Sequence, residues 1–365
     1  MERRIFLKQG FFATGLILFK PVLKVFKKID EQSMPTWQQL VDVARWCPTI
    51  HNLQPHQLKI ISDDEAALYC DPSRTLPVGD PQGVFVTIAL GIFIEHLNIA
   101  ASPFGYKIKV SEFFQPVNTQ ATESQLIAKL TLQKSTENEH IDPSLIYSRR
   151  TSRLHYDGHP LQKEVLEEIR KEAATFDHEF FYNQSDDLVD SIIKINQRTL
   201  FDDLNNNANR EELDRLFRYN DADAEKFKDG LWYKAMCFPG NLMRSVFQNH
   251  SKWNHGPRSQ MLGSYYKNSF KGTRTICWFA GKFETPNDWL NAGYMFARSW
   301  LLLTKHQAYL HPFGTLITNQ SANKEIIKIL TPGSQNKKIW MIFRAGYSKV
   351  PVRSYRLSTD QIIFK

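Results

Sequence analysis

The 365-residue sequence predicts an α+β fold assembled from two similar halves. Three observations carry that expectation. Residues 84–104 and 289–303 are long, nearly continuous apolar stretches of the kind that form buried helices. Short alternating segments at 57–61, 106–114, 126–133, 178–182, 275–279 and 339–343 read as strands. Each apolar helix also follows a proline-containing polar turn and carries a glycine at a similar place, Gly91 in one and Gly293 in the other. That is a weak internal repeat, such as duplication and fusion leave behind.

Composition narrows the class. An apolar fraction of 42% with 13% aromatic residues supports a large core. The net charge of +8 is local: residues 1–28 hold seven basic side chains against Glu2 and contribute +6 of it. The remaining +2 excludes a nucleic-acid surface. Cys47, Cys70, Cys237 and Cys277 are far apart and form no C-x-x-C pair, so buried free thiols are expected and no metal site.

The chain opens with Arg3, Arg4 and Lys8 before the apolar run 11–19, export grammar that resembles a twin-arginine signal. Lys20, Lys24, Lys27 and Lys28 then interleave with apolar residues, as in an amphipathic anchor on an anionic membrane face. Residues 1–33 are therefore expected to be a signal or membrane-surface anchor. The protein would be periplasmic or membrane-anchored, with a cytoplasmic protein bearing a basic N-terminal helix as the alternative.

In the first half, 34–142, a helix over 36–46 breaks at Cys47-Pro48. The loop Pro48-Thr49-Ile50-His51-Asn52-Leu53-Gln54-Pro55 follows, offering donors and acceptors on a stiff backbone, which suits the edge of a heteroaromatic ring. His51 and His56 alone read as surface histidines. Glu95, His96 and Asn98 inside the first apolar stretch argue for a core helix over a membrane span.

The second half, 143–365, begins with Ser148-Arg149-Arg150-Thr151-Ser152-Arg153 and an amphipathic helix from Pro160 onward. Guanidinium forks and hydroxyls in one run make a phosphate seat, although a solvated basic turn reads the same in isolation. Residues 186–270 break the parallel between halves with polar helices rich in aromatics, a lid or an added helical layer. A second basic segment runs from Arg344 to Arg356.

Four segments, taken in order, resemble the nitroreductase superfamily, and in particular its fused-half branch, the Acg-type FMN-binding oxidoreductases. They are the loop ending Asn52-Leu53-Gln54-Pro55, the seat Arg149–Arg153, the run Asp288-Trp289-Leu290-Asn291-Ala292-Gly293, and the terminal Arg344-Ala345-Gly346-Tyr347 through Arg356. The resemblance implies a nitroreductase-like three-layer fold with mixed, mainly antiparallel sheets and central buried helices. Its two pseudo-symmetric halves would mimic the usual homodimer in a single monomeric chain. It further implies one composite FMN site. Arg149, Arg150, Thr151 and Arg153 would hold the phosphate, with Arg353 and Arg356 closing from the tail. Pro48, Thr49, Ile50 and Asn52 would line the isoalloxazine. His311, Pro312, Phe313 and Gly314 would form the loop beside its N5 edge.

Departures from the pattern are Thr49 for the usual Ser, His56 for the usual Trp, and no glutamate beside Gly314. No side chain is expected to be catalytic, because the flavin N5 would carry hydride from a nicotinamide donor to a nitroaromatic or quinone-like acceptor. The sequence has no G-x-G-x-x-G stretch, so NAD(P)H would be a transient visitor. The alternative is a protein that sequesters FMN beneath a lid with little turnover.

Overall fold

A computed structural model describes residues 33–330 and 337–364. The expected leader lies outside the described residues. The described chain is a mixed α+β structure with two sheets on either side of a pair of buried helices.

The first helix, α1 (Trp37–Ala44), starts where Thr36 and Gln39 close a capping box and ends just before Cys47-Pro48. Its apolar face buries Trp37, Leu40, Val41 and Ala44. Strands β1 (His56–Ile60) and β2 (Glu65–Cys70), helix α2 (Val84–Ala101), and strands β3 (Tyr106–Phe113) and β4 (Gln125–Lys134) follow. Helix α3 (Lys163–Thr175) and β5 (Glu179–Asn183) open the second series. After the helical insertion come β6 (Thr275–Gly281), α4 (Pro286–Lys305), β7 (Tyr309–Pro312) and β8 (Lys338–Gly346). The last strand, β9 (Ile363–Phe364), returns to the first sheet.

Strand order repeats between the two sheets. The first runs β9-β1-β2-β4-β3 and the second β5-β6-β8-β7, so in each the third and fourth strands of the series pair in reversed order. Within these two sheets every strand pairing is antiparallel except β1 with β9, which is parallel; the insertion adds a two-residue parallel pair, Phe217–Arg218 with Leu231–Trp232. Sequence periodicity located all of these strands except β2, β7 and β9.

Helix α2 is long and apolar enough to cross a membrane, yet 83% of it is buried inside the protein. Its polar residues other than His96, whose ring nitrogens are buried without a partner, are used internally. Glu95 pairs with Arg298 of α4 at 2.7 Å, and Asn98 accepts the Ile108 N–H at 3.0 Å. Arg298 also binds Glu139 and Glu172, so one buried guanidinium ties both central layers together. The α2 N-terminus is closed by Asp80, whose carboxylate accepts from Val84, Phe85 and Val86 at 2.8–3.0 Å. At α4, Pro286 occupies the first turn and Thr285 with Asp288 forms a capping box.

The insertion between β5 and β6 is largely helical and has small cores of its own. One contains Leu204, Phe217, Leu231, Met243 and Phe247, the other Val246, Trp253 and Leu262. It is latched to the first series. Glu212 accepts from the Val78 and Gly79 N–H groups at 2.8 Å each, and Asp229 pairs with Arg74 at 2.9 Å.

Three thiols, Cys47, Cys70 and Cys277, are buried as expected, whereas Cys237 is only half-buried. His56 is not a surface residue. It is fully buried and stacks on Phe93 with ring centroids 4.1 Å apart.

Candidate functional site

The loop after α1 is held in a conformation that L-residues adopt only under constraint. His51, Asn52 and Gln54 have φ of 46°, 60° and 57°, a left-handed backbone that costs roughly 1–2 kcal/mol per residue. Gln54 supplies the constraint. Its Nε2 donates to the carbonyls of Asn52 at 3.1 Å and Lys228 at 2.9 Å, and its Oε1 accepts the Leu357 N–H at 2.8 Å. Its own N–H donates to Thr49 Oγ1 at 3.0 Å. One buried amide thus joins the loop, the insertion and the C-terminal tail. Asn52 Nδ2 donates to the Tyr355 carbonyl at 3.2 Å, while its Oδ1 is buried without a partner.

The arginine run follows a short helical turn, Ser144–Ser148, and docks beside β7. Thr151 forms a parallel bridge with Leu310, and the Ser152 N–H donates to the Leu310 carbonyl at 3.1 Å. Arg149 donates to the Trp46 carbonyl and lies 4.7 Å from the Trp300 ring centre. Arg150 donates to the carbonyls of Tyr147 and Arg149. From the tail, Arg353 sits over Trp46 at 4.5 Å and donates to the Tyr147 carbonyl, and Arg356 donates to the Cys47 carbonyl at 3.4 Å.

No carboxylate offsets this charge. None of Arg149, Arg150, Arg353 or Arg356 has an acidic partner among the described residues, although Arg45 nearby pairs with Asp42. Burial, with the neighbouring guanidinium groups second, holds Arg149 well below the ordinary arginine range. Burial and then Arg353 bring Arg150 to about 10, and burial brings Arg356 to about 10. All remain cations at neutral pH, so the cluster is a region of uncompensated positive charge. The Nε groups of Arg149, Arg150 and Arg356 are buried without a partner. Charged side chains that line one cavity and keep unpartnered Nε donors suit a multivalent anion.

Arg153 lines the cavity on the side of the insertion, where its Nη1 donates to the Ala235 carbonyl at 3.5 Å. The charged and titratable groups acting on it are Cys237, Tyr266, Arg344 and Tyr156, and it in turn acts on His51 and His311. Burial keeps both histidines neutral, with Arg153 adding to the effect; His51 is lowered to about 4.

Arg344, which sequence reasoning placed only in a basic segment, is fully buried between Tyr156 and Phe270. It donates to the carbonyls of Ser152 and Leu154 at 3.4 and 3.0 Å, fixing the far side of the arginine run. His311 and Pro312 are strand residues of β7 and not part of a free loop. The Phe313 N–H is already donated to the Ile342 carbonyl at 2.8 Å, so it is no free donor.

The structure brings all the sequence-predicted residues to one cavity of about 540 Å³. Pro48, Thr49, Ile50 and Asn52 line it from the loop, and Arg149, Arg150, Thr151 and Arg153 from the run. Arg353 and Arg356 line it from the tail, and His311, Pro312, Phe313 and Gly314 from β7 and its end. The insertion and the central helices complete the walls. No group of three or more His, Cys, Asp or Glu residues able to hold a metal occurs among the described residues.

No family model matches the chain, and no curated protein matches it. Among solved structures it is similar to the FMN and NADPH-dependent nitroreductase NfnB from sphigopyxis sp. strain HMH, at 13% identity and a TM-score of 0.36, over 61% of this chain and 97% of that one. A nitroreductase with bound FMN from Desulfitobacterium hafniense DCB-2 gives 9% identity and 0.36, over 61% and 96%. The FMN-dependent nitroreductase NfnB from Mycobacterium smegmatis, in complex with NADPH, gives 15% and 0.31, over 56% and 86%.

Proposed function

We propose that the chain is an FMN-dependent oxidoreductase of nitroreductase type, with one flavin site shared between its two halves. The observation that carries the reading is a set of four arginines, Arg149, Arg150, Arg353 and Arg356, that line one cavity with no carboxylate partner among the described residues; Arg149 is buried, and the Nε groups of Arg149, Arg150 and Arg356 are unpartnered. Such a cluster is costly in a folded protein unless an anion completes it.

The residues fit a phosphorylated heteroaromatic group. The cluster supplies charge-assisted donors for a phosphate. Across the cavity, Asn52 Oδ1 and His311 Nδ1 are buried polar atoms without partners, suited to the polar edge of a ring. Thr151 adds a hydroxyl, and Pro48, Thr49 and Ile50 present a stiff wall against which a flat system can lie. Arg153, which acts on neutral His51 and His311, brings positive charge to the ring end of the cavity.

A bound FMN would supply hydride acceptance and donation at its N5, between a nicotinamide donor and a nitroaromatic or quinone-like acceptor. This chain's own residues do the rest. Gln54 holds the loop in its left-handed shape, Arg344 holds the arginine run, and the insertion excludes bulk water from one side.

The latches from Glu212 and Asp229 favour a second reading, a storage protein whose insertion stays closed over the flavin. Anaerobic mixing of flavin-loaded protein with NADPH or NADH separates the two. Loss of absorbance near 450 nm on a catalytic timescale, recovered by a nitroaromatic or quinone, is the outcome the enzyme reading requires. No bleaching with either donor would leave storage.

A further inference from the structure

The cavity has two walls of opposite character. The arginine run and the tail supply one of them, which is cationic. The insertion supplies the other, and its contribution includes Leu200, Phe201, Leu204, Phe247 and Leu262, with no lysine or arginine at all. The only charged residues on this second wall are Asp203 and Glu212. Asp203 accepts from Asn319 Nδ2 at 2.8 Å, and both oxygens of Glu212 are taken by backbone N–H groups. The polar pair at its inner end is likewise closed on itself, with Asn196 Nδ2 donating to Tyr266 Oη at 2.9 Å and Thr315 Oγ1 to Asn196 Oδ1 at 3.3 Å.

We infer that the insertion wall binds a second molecule beside the flavin, and that this molecule is uncharged and carries an extended hydrocarbon portion. The inference rests on the reading of the facing wall as the FMN site. Apolar side chains that face a cavity gain free energy only from apolar contact. An anion on this wall would meet the carboxylates of Asp203 and Glu212, and the one guanidinium beside it, Arg153, donates to the Ala235 carbonyl at 3.5 Å. The neutral histidines His51 and His311 add no charge to attract one. A small polar substrate would leave the half-buried side chains of Leu200 and Phe201 wet.

The test uses full-length, FMN-saturated protein and the neutral fluorescent probe N-phenyl-1-naphthylamine. The probe should bind with enhanced fluorescence and be displaced by straight-chain alcohols from hexanol to dodecanol. Displacement should strengthen by about three- to fourfold for each added methylene until the wall is covered. Dodecanoate should compete about tenfold more weakly than dodecanol. Leu200→Trp fills the wall from a half-buried position and should abolish most probe binding while flavin content stays unchanged. Phe201→Glu serves the same purpose by adding charge, should Leu200→Trp fold poorly.

Absence of probe binding, displacement independent of chain length, or equal competition by dodecanoate would each overturn the inference. Full probe binding by both variants would do so too. The FMN reading is scored separately by absorbance in the same samples. Probe binding to a chain that takes up no flavin keeps the apolar wall and removes the flavin.

Discussion

Gly91 and Gly293 touch across the crossing of the two central helices. A Cβ built on Gly91 would stand 2.5 Å from the Leu290 carbonyl oxygen and 3.1 Å from the Gly293 Cα. One built on Gly293 would stand 2.4 Å from the Ile88 carbonyl oxygen and 2.9 Å from the Gly91 Cα. The weak repeat visible in the sequence therefore has a physical cause. Helices α2 and α4 approach so closely that neither can carry a side chain at the contact.

This gives a prediction whose sign is diagnostic. Helix propensity alone favours Gly91→Ala by roughly 0.5–1 kcal/mol. Overpacking at the crossing opposes it by about 1–3 kcal/mol. Urea unfolding should show a net loss for Gly91→Ala and for Gly293→Ala. A gain in either would mean that the helices have room to spare.

The arginine cluster should trade stability for binding. With no anion present, removing one guanidinium relieves repulsion among Arg149, Arg150, Arg353 and Arg356. Arg150→Ala should leave the melting temperature of the flavin-free protein unchanged or raised. The same variant should weaken FMN by roughly tenfold to a hundredfold, the equivalent of a charged hydrogen bond of about 1.5–3 kcal/mol. Riboflavin, which lacks the phosphate, should bind wild type and variant alike.

Gln54 should matter more than its place in a polar loop suggests. Gln54→Leu would leave the Leu357 N–H and the Asn52 and Lys228 carbonyls without their partner, at about 1–3 kcal/mol for each buried group left unpaired. Both unfolding free energy and FMN affinity should fall, because the left-handed backbone of His51 and Asn52 would relax. Intact affinity in this variant would separate the loop's shape from its amide.

Acid should destabilise the fold through buried histidines. Burial, with Arg356 and Arg74 adding to it, lowers His56 to about 3 from 6.5. The unfolded chain then holds the proton that the folded chain refuses. The residue's contribution is complete above pH 6.5 and is lost as pH falls towards 3, at about 1.4 kcal/mol per unit. Between pH 7 and 5, wild type should lose about 2 kcal/mol more than His56→Phe. Parallel curves for the two proteins would contradict the assignment.

Much of the fold was legible because α2 and α4 are buried on most sides and read as continuous apolar runs, whereas β4 buries one face and alternates. Strand β2 was missed because it follows the polar run Ser62-Asp63-Asp64 and carries two alanines, a composition without strand preference. Strand β9 is two residues long and exists only through its partner β1. Pro312 and Gly314 disguised β7 as a loop, since proline is tolerated on an edge strand.

At the site, the loop and the arginine run stood out as residue types that suit a ring edge and a phosphate. Three features were hidden there. Arg344 beneath the run, Gln54 as the joint between loop, insertion and tail, and the bond from Arg153 to the Ala235 carbonyl of the insertion all depend on contacts between residues far apart in the chain.

The composite site is tested most directly by calorimetric titration of FMN into flavin-free protein, read as moles bound per chain. The account predicts one FMN per chain, with affinity that falls as salt screens the arginine cluster. Two flavins per chain would mean that each half builds its own site. No binding would mean that the buried guanidinium groups serve another anion.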